Sequence, residues 1–540
     1  MKHNKLVEAH KLSLREFIWF GFNFVVGTSF FGSFAVLANA DSGGNAGLGF
    51  WVVLVWMMEG LFATVCAFSF AKMSRYHDAS QNGAAYVYTR STFGKLTGLF
   101  VGFLQYVYIP FSLSYQIMNV MRGLFTAPFI SQDSAMFLYC GSFTDLWMDL
   151  IAVGIFFGCA LVVMLGMRWY RKLSNATALI KWFAFLLMII LAMFIASSKD
   201  TNSTSTNGAN NLSYWASHSQ LSFGNFVKCF NSCFFAFIGF ELFATAGKNV
   251  QNPQKTIGKG IVVIMLIATL FYVAFTFLFF CATTQFTESL NISIWDSAKG
   301  IPWIMWVGII ITIISIIGMR MYSFMQKSLF GGTTLQPLAY EGFFPDKFAK
   351  LNKEKVPISA SKLNLCIVCC VAIVWLIIPD IVKGISLTSN YGWWDKNAYV
   401  NFGVLFNMQA FSSFASLIAI FVYIMVLIAT IKLCFKSQIK FKYFELAFYI
   451  FTLGILLLIF TYHYYGLIEK MVQVYTASAS DQDKLKATTG LAIEFGTTLM
   501  ICAFFVCWYK YYYGKALKTR TTIEQKRLDK AFKRIYPVNN

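Results

Sequence analysis

A glutamate stands two residues after a glycine inside the apolar run FFAFIGFEL, residues 234–242. A charge at the centre of a bilayer costs roughly 2.5–3.5 kcal/mol on insertion scales, so such residues usually line a protein interior and mark ion or proton paths. The chemistry open to Glu241 is therefore uptake and release of a proton, or, as a bland alternative, a permanent structural hydrogen bond. Gly239 beside it is a helix breaker, and a second apolar run, FVVGTSFFGSF (24–34), is interrupted in the same way by Gly27, Thr28, Ser29 and Gly32. Unwound backbone at that depth is tolerable only where it is buried in protein or lines a cavity. Its free N–H and C=O groups can then hold a carboxylate at one end and an amine at the other. A lone glycine would be read as a close-packing residue, but two matched interruptions favour a site.

Four further charges fall in or beside apolar runs. Lys181 closes RWYRKLSNATALIK (168–181) and lies one to two turns inside its run, where it either snorkels to the rim or sits buried. Glu59 is a candidate titrating group, and Glu494 is expected as a rim or partner contact. Arg320 is placed at the end of its run and enters the membrane only if that helix continues to Gly331-Gly332.

The elements that must position these residues are membrane helices. The chain has 540 residues, 57% hydrophobic and only 13% charged, with a mean hydropathy of +0.60. A soluble protein would carry about twice that charge fraction, which excludes a water-soluble enzyme. Twelve apolar runs are long enough to span: 17–38, 48–71, 96–121, 148–166, 177–197, 224–246, 260–281, 303–326, 358–378, 404–431, 443–464 and 490–512. The first is expected to be retained, because no small-residue cleavage site follows it. Runs one and six carry the two interruptions. They lie five runs apart, as two inverted five-span copies would place them, and such pairs point to a transporter binding site.

The net charge of +20 is a topology signal. Thirty-five of the 44 Lys and Arg fall in one alternate set of loops and nine in the other. That bias predicts a multi-pass cell-membrane protein with both termini in the cytoplasm, and it removes nucleic acid as a partner. The five histidines lack metal-ligand spacing and Cys366, Cys369 and Cys370 lie in an apolar run, so neither a metal nor a cofactor is expected. The organisation expected is a cytoplasmic tail (1–16), a first repeat of five spans (17–197), an external polar loop (198–223), a second repeat (224–431), spans eleven and twelve (443–512) and a basic cytoplasmic tail (513–540). That tail suits anionic lipid headgroups, or is simply solvated.

FIGFELFATAGKNVQNPQKTI (237–257) resembles the sixth span and following loop of amino acid permeases of the amino acid–polyamine–organocation superfamily. The shared features are Phe237, Gly239 and Glu241, a run of small residues, and Asn252-Pro253 with Lys255. AKMSRYHDASQNGAAYVYTRSTFG (71–94) is similar to the loop before their third span, and YEGFFPDKF (340–348) to the turn after their eighth. Departures are Gly27-Thr28-Ser29 in place of Gly-Ser-Gly, Gly247-Lys248 in place of an acidic pair, and no Arg shortly before the eighth-span turn.

The resemblance implies an all-α protein of twelve spans, a 5+5 inverted-repeat core with broken helices 1 and 6, and two extra C-terminal helices. It implies a secondary amino acid transporter working by alternating access. Gly27, Thr28 and Ser29 would face the substrate's α-carboxylate, and the carbonyls of Val25, Phe235 and Ile238 its α-ammonium, with Phe235 as an aromatic lid and Gly239 as the break. Glu241 would take part in proton-linked gating. Lys181 would stand where sodium-coupled cousins bind their ion, implying sodium-independent transport driven by protons or exchange. Asn252-Pro253 is expected to end the sixth helix. The rivals are a polyamine or other cationic-substrate carrier of the same fold, and a nutrient sensor that moves nothing.

Overall fold

The computed structural model of the chain describes residues 11–27, 48–77, 82–125, 141–197, 208–221, 223–245, 247, 250–282, 302–352, 356–388, 410–476 and 481–515. Among them the regular structure is helical: α1 (Leu14–Val25), α2 (Trp51–Tyr76), α3 (Ala84–Phe93), α4 (Lys95–Phe125), α5 (Thr144–Leu165), α6 (Met167–Ser197), α7 (Gly208–His218) and α8 (Phe223–Phe234). There follow α9 (Phe240–Ala244), α10 (Pro253–Ala282), α11 (Pro302–Tyr340), α12 (Ile358–Ala372), α13 (Ile378–Thr388), α14 (Ala410–Phe435), α15 (Tyr443–Thr476) and α16 (Asp481–Cys507). A π-turn, Ile373–Ile377, joins α12 to α13 without a break.

Among the described residues ten stretches are long and apolar enough to cross a bilayer: α2, α4, α5, α6, α10, α11, α12 with α13, α14, α15, and α16 with the π-turn after it. They coincide with runs two to five and seven to twelve. Runs one and six differ. In their described parts they hold only the short helices α1, α8 and α9. The protein is a multi-pass, all-α membrane protein, and lipid covers such outward side chains as Phe183 and Leu270, which no protein group buries. α14 is enclosed, with 83% of its central residues buried, whereas α15 has 22% and stands at the periphery.

α1 starts on a capping box, in which the Ser13 Oγ accepts the Glu16 N–H at 3.4 Å and the Glu16 carboxylate accepts the Ser13 N–H at 2.9 Å. The same carboxylate pairs with Arg171 at the start of α6. Just before α1, Leu12 bridges to Val250, and the Leu12 carbonyl accepts the Gln251 N–H at 2.9 Å. The entrance to the first interrupted segment is thereby tied to the exit of the second.

Three expectations are corrected, and the polar stretch after the fifth run gains a helix. The eighth helix does not stop near residue 326. It continues to Tyr340, so Arg320 and Lys327, counted above among loop cations, lie within it. Gly331-Gly332 are packing positions rather than a break, because a Cβ on Gly331 would overlap the Asn364 side chain and one on Gly332 the Ser361 Oγ of α12. Asn252-Pro253 opens α10 instead of closing the sixth helix. Pro253 is the first helical residue, where a missing N–H is harmless, and the Asn252 carbonyl accepts the Lys255 and Thr256 N–H groups. The polar stretch 198–223 contains α7, held to α10 by buried Trp215 against Phe280 and by the Asn211 amide on the Cys281 carbonyl at 2.9 Å. Glu494 is not a rim contact but is buried beside His463, 2.7 Å away.

Gly331→Leu should therefore force α11 and α12 apart. Overpacking of this kind costs roughly 1–3 kcal/mol, and the detergent-solubilised variant should melt several degrees lower than the parent. An unchanged melting temperature would contradict the close contact.

Candidate functional site

The two interrupted segments meet. α1 ends at Val25, and α8 passes through a 3-10 turn, Phe235–Phe237, into Gly239, whose φ of 125° is in the region that favours glycine. A Cβ on Gly239 would overlap the Phe24 ring, so the glycine is required both by its dihedral and by the close approach of α1. Phe24 also lies against Phe243 and Phe330, with ring centroids 5.6 and 5.7 Å away.

A helix that stops inside a bundle leaves its last carbonyls without intrahelical donors. Side chains from the surrounding helices supply them here. Lys181 of α6 donates from Nζ to the Asn23 carbonyl at 2.9 Å and the Val26 carbonyl at 2.7 Å. Trp182 donates to the Asn23 Oδ1 at 2.6 Å and stacks on Phe22. Tyr322 of α11 donates to the Phe20 carbonyl at 2.8 Å. Tyr272 of α10 reaches both breaks, its hydroxyl 2.8 Å from the Val25 carbonyl and 3.0 Å from the Ala236 carbonyl. One O–H hydrogen is shared between them, so Tyr272 fastens the end of α1 to the 3-10 turn.

Glu241 sits in the first turn of α9, fully enclosed. Its Oε2 accepts the Gly239 N–H at 2.9 Å and the Tyr423 hydroxyl of α14. Oε1 has no hydrogen-bond partner among the described residues. The Tyr108 hydroxyl and the Lys327 ammonium lie close by. One oxygen thus stabilises the broken backbone while the other remains available for a proton.

Of the residues singled out from sequence, Val25, Gly27, Ile238, Gly239, Glu241 and Lys181 lie at this junction. Phe235 is in the 3-10 turn; its side chain, and Thr28 and Ser29 altogether, lie outside the described residues. The Val25 carbonyl already serves Tyr272. Lys181 does not snorkel: its ammonium is buried on two carbonyls, where a small cation would find its ligands. Glu59 of α2 is buried with neither carboxyl oxygen hydrogen-bonded among the described residues, close to Cys229, Cys233 and Tyr272. Sequence reading missed Tyr272, Tyr322, Tyr423 and Lys327. The available signal was a tyrosine in mid-run, since a buried phenol needs a partner.

A family model described as amino acid permease matches residues 13–475. The chain belongs to that family. Relatives of this family member include the branched-chain amino acid permease BcaP of Bacillus subtilis (strain 168), 22% identical over 324 residues, which cover 57% of this chain and 64% of that protein. The methylthioribose transporter of the same organism is 24% identical over 269 residues, 49% of this chain and 54% of that protein. BcaP of Lactococcus lactis subsp. cremoris (strain MG1363) is 23% identical over 363 residues, 64% and 72% of the two chains. The chain therefore aligns with less than two thirds of the length of the two Bacillus relatives named.

Lys181→Met keeps the length of the side chain and removes both donors from the end of α1. Two buried carbonyls lose their partner, at roughly 1–3 kcal/mol for each unsatisfied group. The variant should unfold at a clearly lower temperature than Lys181→Arg, and equal melting of the two would show that the ammonium does not hold α1.

Proposed function

We propose that this chain is a secondary active amino acid transporter working by alternating access. The observation that carries the reading is the junction of two interrupted helices, with a titratable carboxylate bonded to the backbone of one of them. Gly27, Thr28 and Ser29 present donors to the α-carboxylate, and the carbonyls of Val25, Phe235 and Ile238 accept from the α-ammonium, because a zwitterion leaving water needs both kinds of partner. On this reading the two interrupted segments complete twelve spans, with a 5+5 inverted-repeat core and α15 and α16 outside it. Both termini lie on the cytoplasmic side of the cell membrane, and the basic tail lies on anionic lipid.

Glu241 supplies the coupling. A proton arriving at its carboxyl weakens acceptance from the Gly239 N–H and frees the break to rearrange. Lys181 holds the carbonyls a sodium ion would use, so transport is sodium-independent and runs on protons or exchange. Arg320 and Lys327 inside α11 weigh against a polycation as the substrate, which disfavours the polyamine reading.

Purified protein in liposomes should accumulate at least one of the twenty labelled amino acids under an inward proton gradient, equally well when choline replaces sodium. Absence of uptake and exchange across the whole panel would leave the sensor reading instead. Glu241→Gln keeps the size and an acceptor oxygen, and should abolish proton-driven accumulation while exchange persists. Accumulation unchanged in that variant would remove Glu241 from the coupling.

A further inference from the structure

The long helix α11 carries a stripe of polar residues that the substrate-backbone site does not use. Arg320, Ser323 and Lys327 follow one another at helical spacing on the face turned toward α4. Ser323 donates to the Gln116 Oε1 at 2.8 Å, and Lys327 donates to the Ser112 Oγ with its ammonium 5.9 Å from the centre of the Tyr108 ring. Phe330, one turn beyond Lys327, packs on Phe24 and Phe243 at the two breaks. The stripe therefore runs from the junction of the interrupted helices along the seam between α4 and α11.

Arg320 is the anomaly in this seam. Its Nε is buried without an acceptor, and no ion pair reaches the guanidinium among the described residues. The Tyr115 side chain of α4 lies close to the guanidinium. Arg320 as a whole is half-buried, a cation inside a membrane helix without a counter-charge is costly, and a guanidinium offers a planar fork of donors that matches a carboxylate. Lys327, two turns along the same stripe, adds positive potential and has Glu241 within electrostatic reach. Among the described residues no carboxylate pairs with Arg320.

We propose that the seam between α4 and α11 receives the side chain of an anionic substrate, an amino acid with a second carboxylate, which Arg320 binds as a fork and Lys327 attracts. This rests on the transporter reading above and adds the substrate class to it. The neutral part of the substrate stays at the helix breaks, and the extra carboxylate completes the charge of the seam. Methyl-capped or amide side chains of the same length would leave Arg320 without an anion.

The test uses the full-length protein in liposomes, with labelled L-glutamate, L-aspartate, L-glutamine and L-leucine as probes. The parent should take up an acidic amino acid better than its amide. Arg320→Gln should lose roughly 10- to 100-fold of the acidic uptake, the loss of one charged hydrogen-bonded pair, while uptake of the amide changes little. Arg320→Lys should recover part of it. In detergent, L-glutamate should raise the melting temperature of the parent more than L-leucine does, which tests the claim even if the variants fold poorly. Uptake of neutral amino acids with no uptake or stabilisation by acidic ones would overturn the anionic-substrate proposal and leave the transporter reading standing. An equal fall for acidic and neutral probes in Arg320→Gln would also overturn it. Failure of every amino acid to be transported would instead bring down the transporter reading, and the proposal with it.

Discussion

Breaking a helix away from water frees carbonyl and N–H groups that only protein can satisfy, at about 1–3 kcal/mol for each one left unpaired. The architecture around α1 and α9 follows from that requirement. Lys181, Tyr272 and Tyr322, from α6, α10 and α11, all donate to carbonyls at the end of α1 or in the 3-10 turn. Tyr423 of α14 donates to the carboxylate that caps Gly239. Four different long helices thus contribute one polar tip each to a core that is otherwise apolar. Each tip sits on a helix regular enough to hold it in place.

That arrangement also makes the junction adjustable. A hydroxyl shared between the Val25 and Ala236 carbonyls can favour either at little cost, since both alternatives are hydrogen-bonded. The Glu241 carboxylate accepts a backbone N–H on one oxygen and has no partner on the other among the described residues, so its hold on that backbone depends on whether it carries a proton. By contrast, Gly239 against Phe24 is a steric contact with no alternative. The junction combines one fixed pivot with hydrogen bonds that can be exchanged, and such a combination allows two discrete arrangements instead of continuous deformation.

Much of this was legible before any coordinates. Uninterrupted spans show themselves because length and apolarity are additive along the chain, and ten of the twelve runs correspond to long helices. Gly239 and Glu241 were visible because a breaker and a charge are conspicuous against apolar neighbours. The end of α11 was not. Gly331-Gly332 looks the same in sequence whether it ends a helix or admits a neighbouring one, and only the contact with Asn364 and Ser361 decides between them. Tyr272 and Tyr423 were hidden for a related reason. In a chain with 26 tyrosines, a phenol reveals its role only through the carbonyl or carboxylate it meets. Lys181 was readable as a charge, but its partners, 155 and 158 residues earlier in the chain, were not.

The cations illustrate how one residue type acquires different functions from its surroundings. Lys72 pairs with Glu445, Arg90 with Glu341 and Lys383 with Asp145, each near a helix end. The Lys72 and Lys383 pairs are partly exposed and contribute little, whereas Arg90 meets an enclosed Glu341 that also accepts from Tyr86. Lys181 is buried and neutralised only by dipoles, those of two carbonyls at a helix C-terminus, where the backbone itself carries negative partial charge. Arg320, half-buried on α11, has no acceptor for its Nε and no ion pair among the described residues. Burial therefore does not by itself decide the partner: the fully enclosed Lys181 is held by dipoles alone, while the less enclosed Arg320 stays open to a counter-charge from outside its own helix pair.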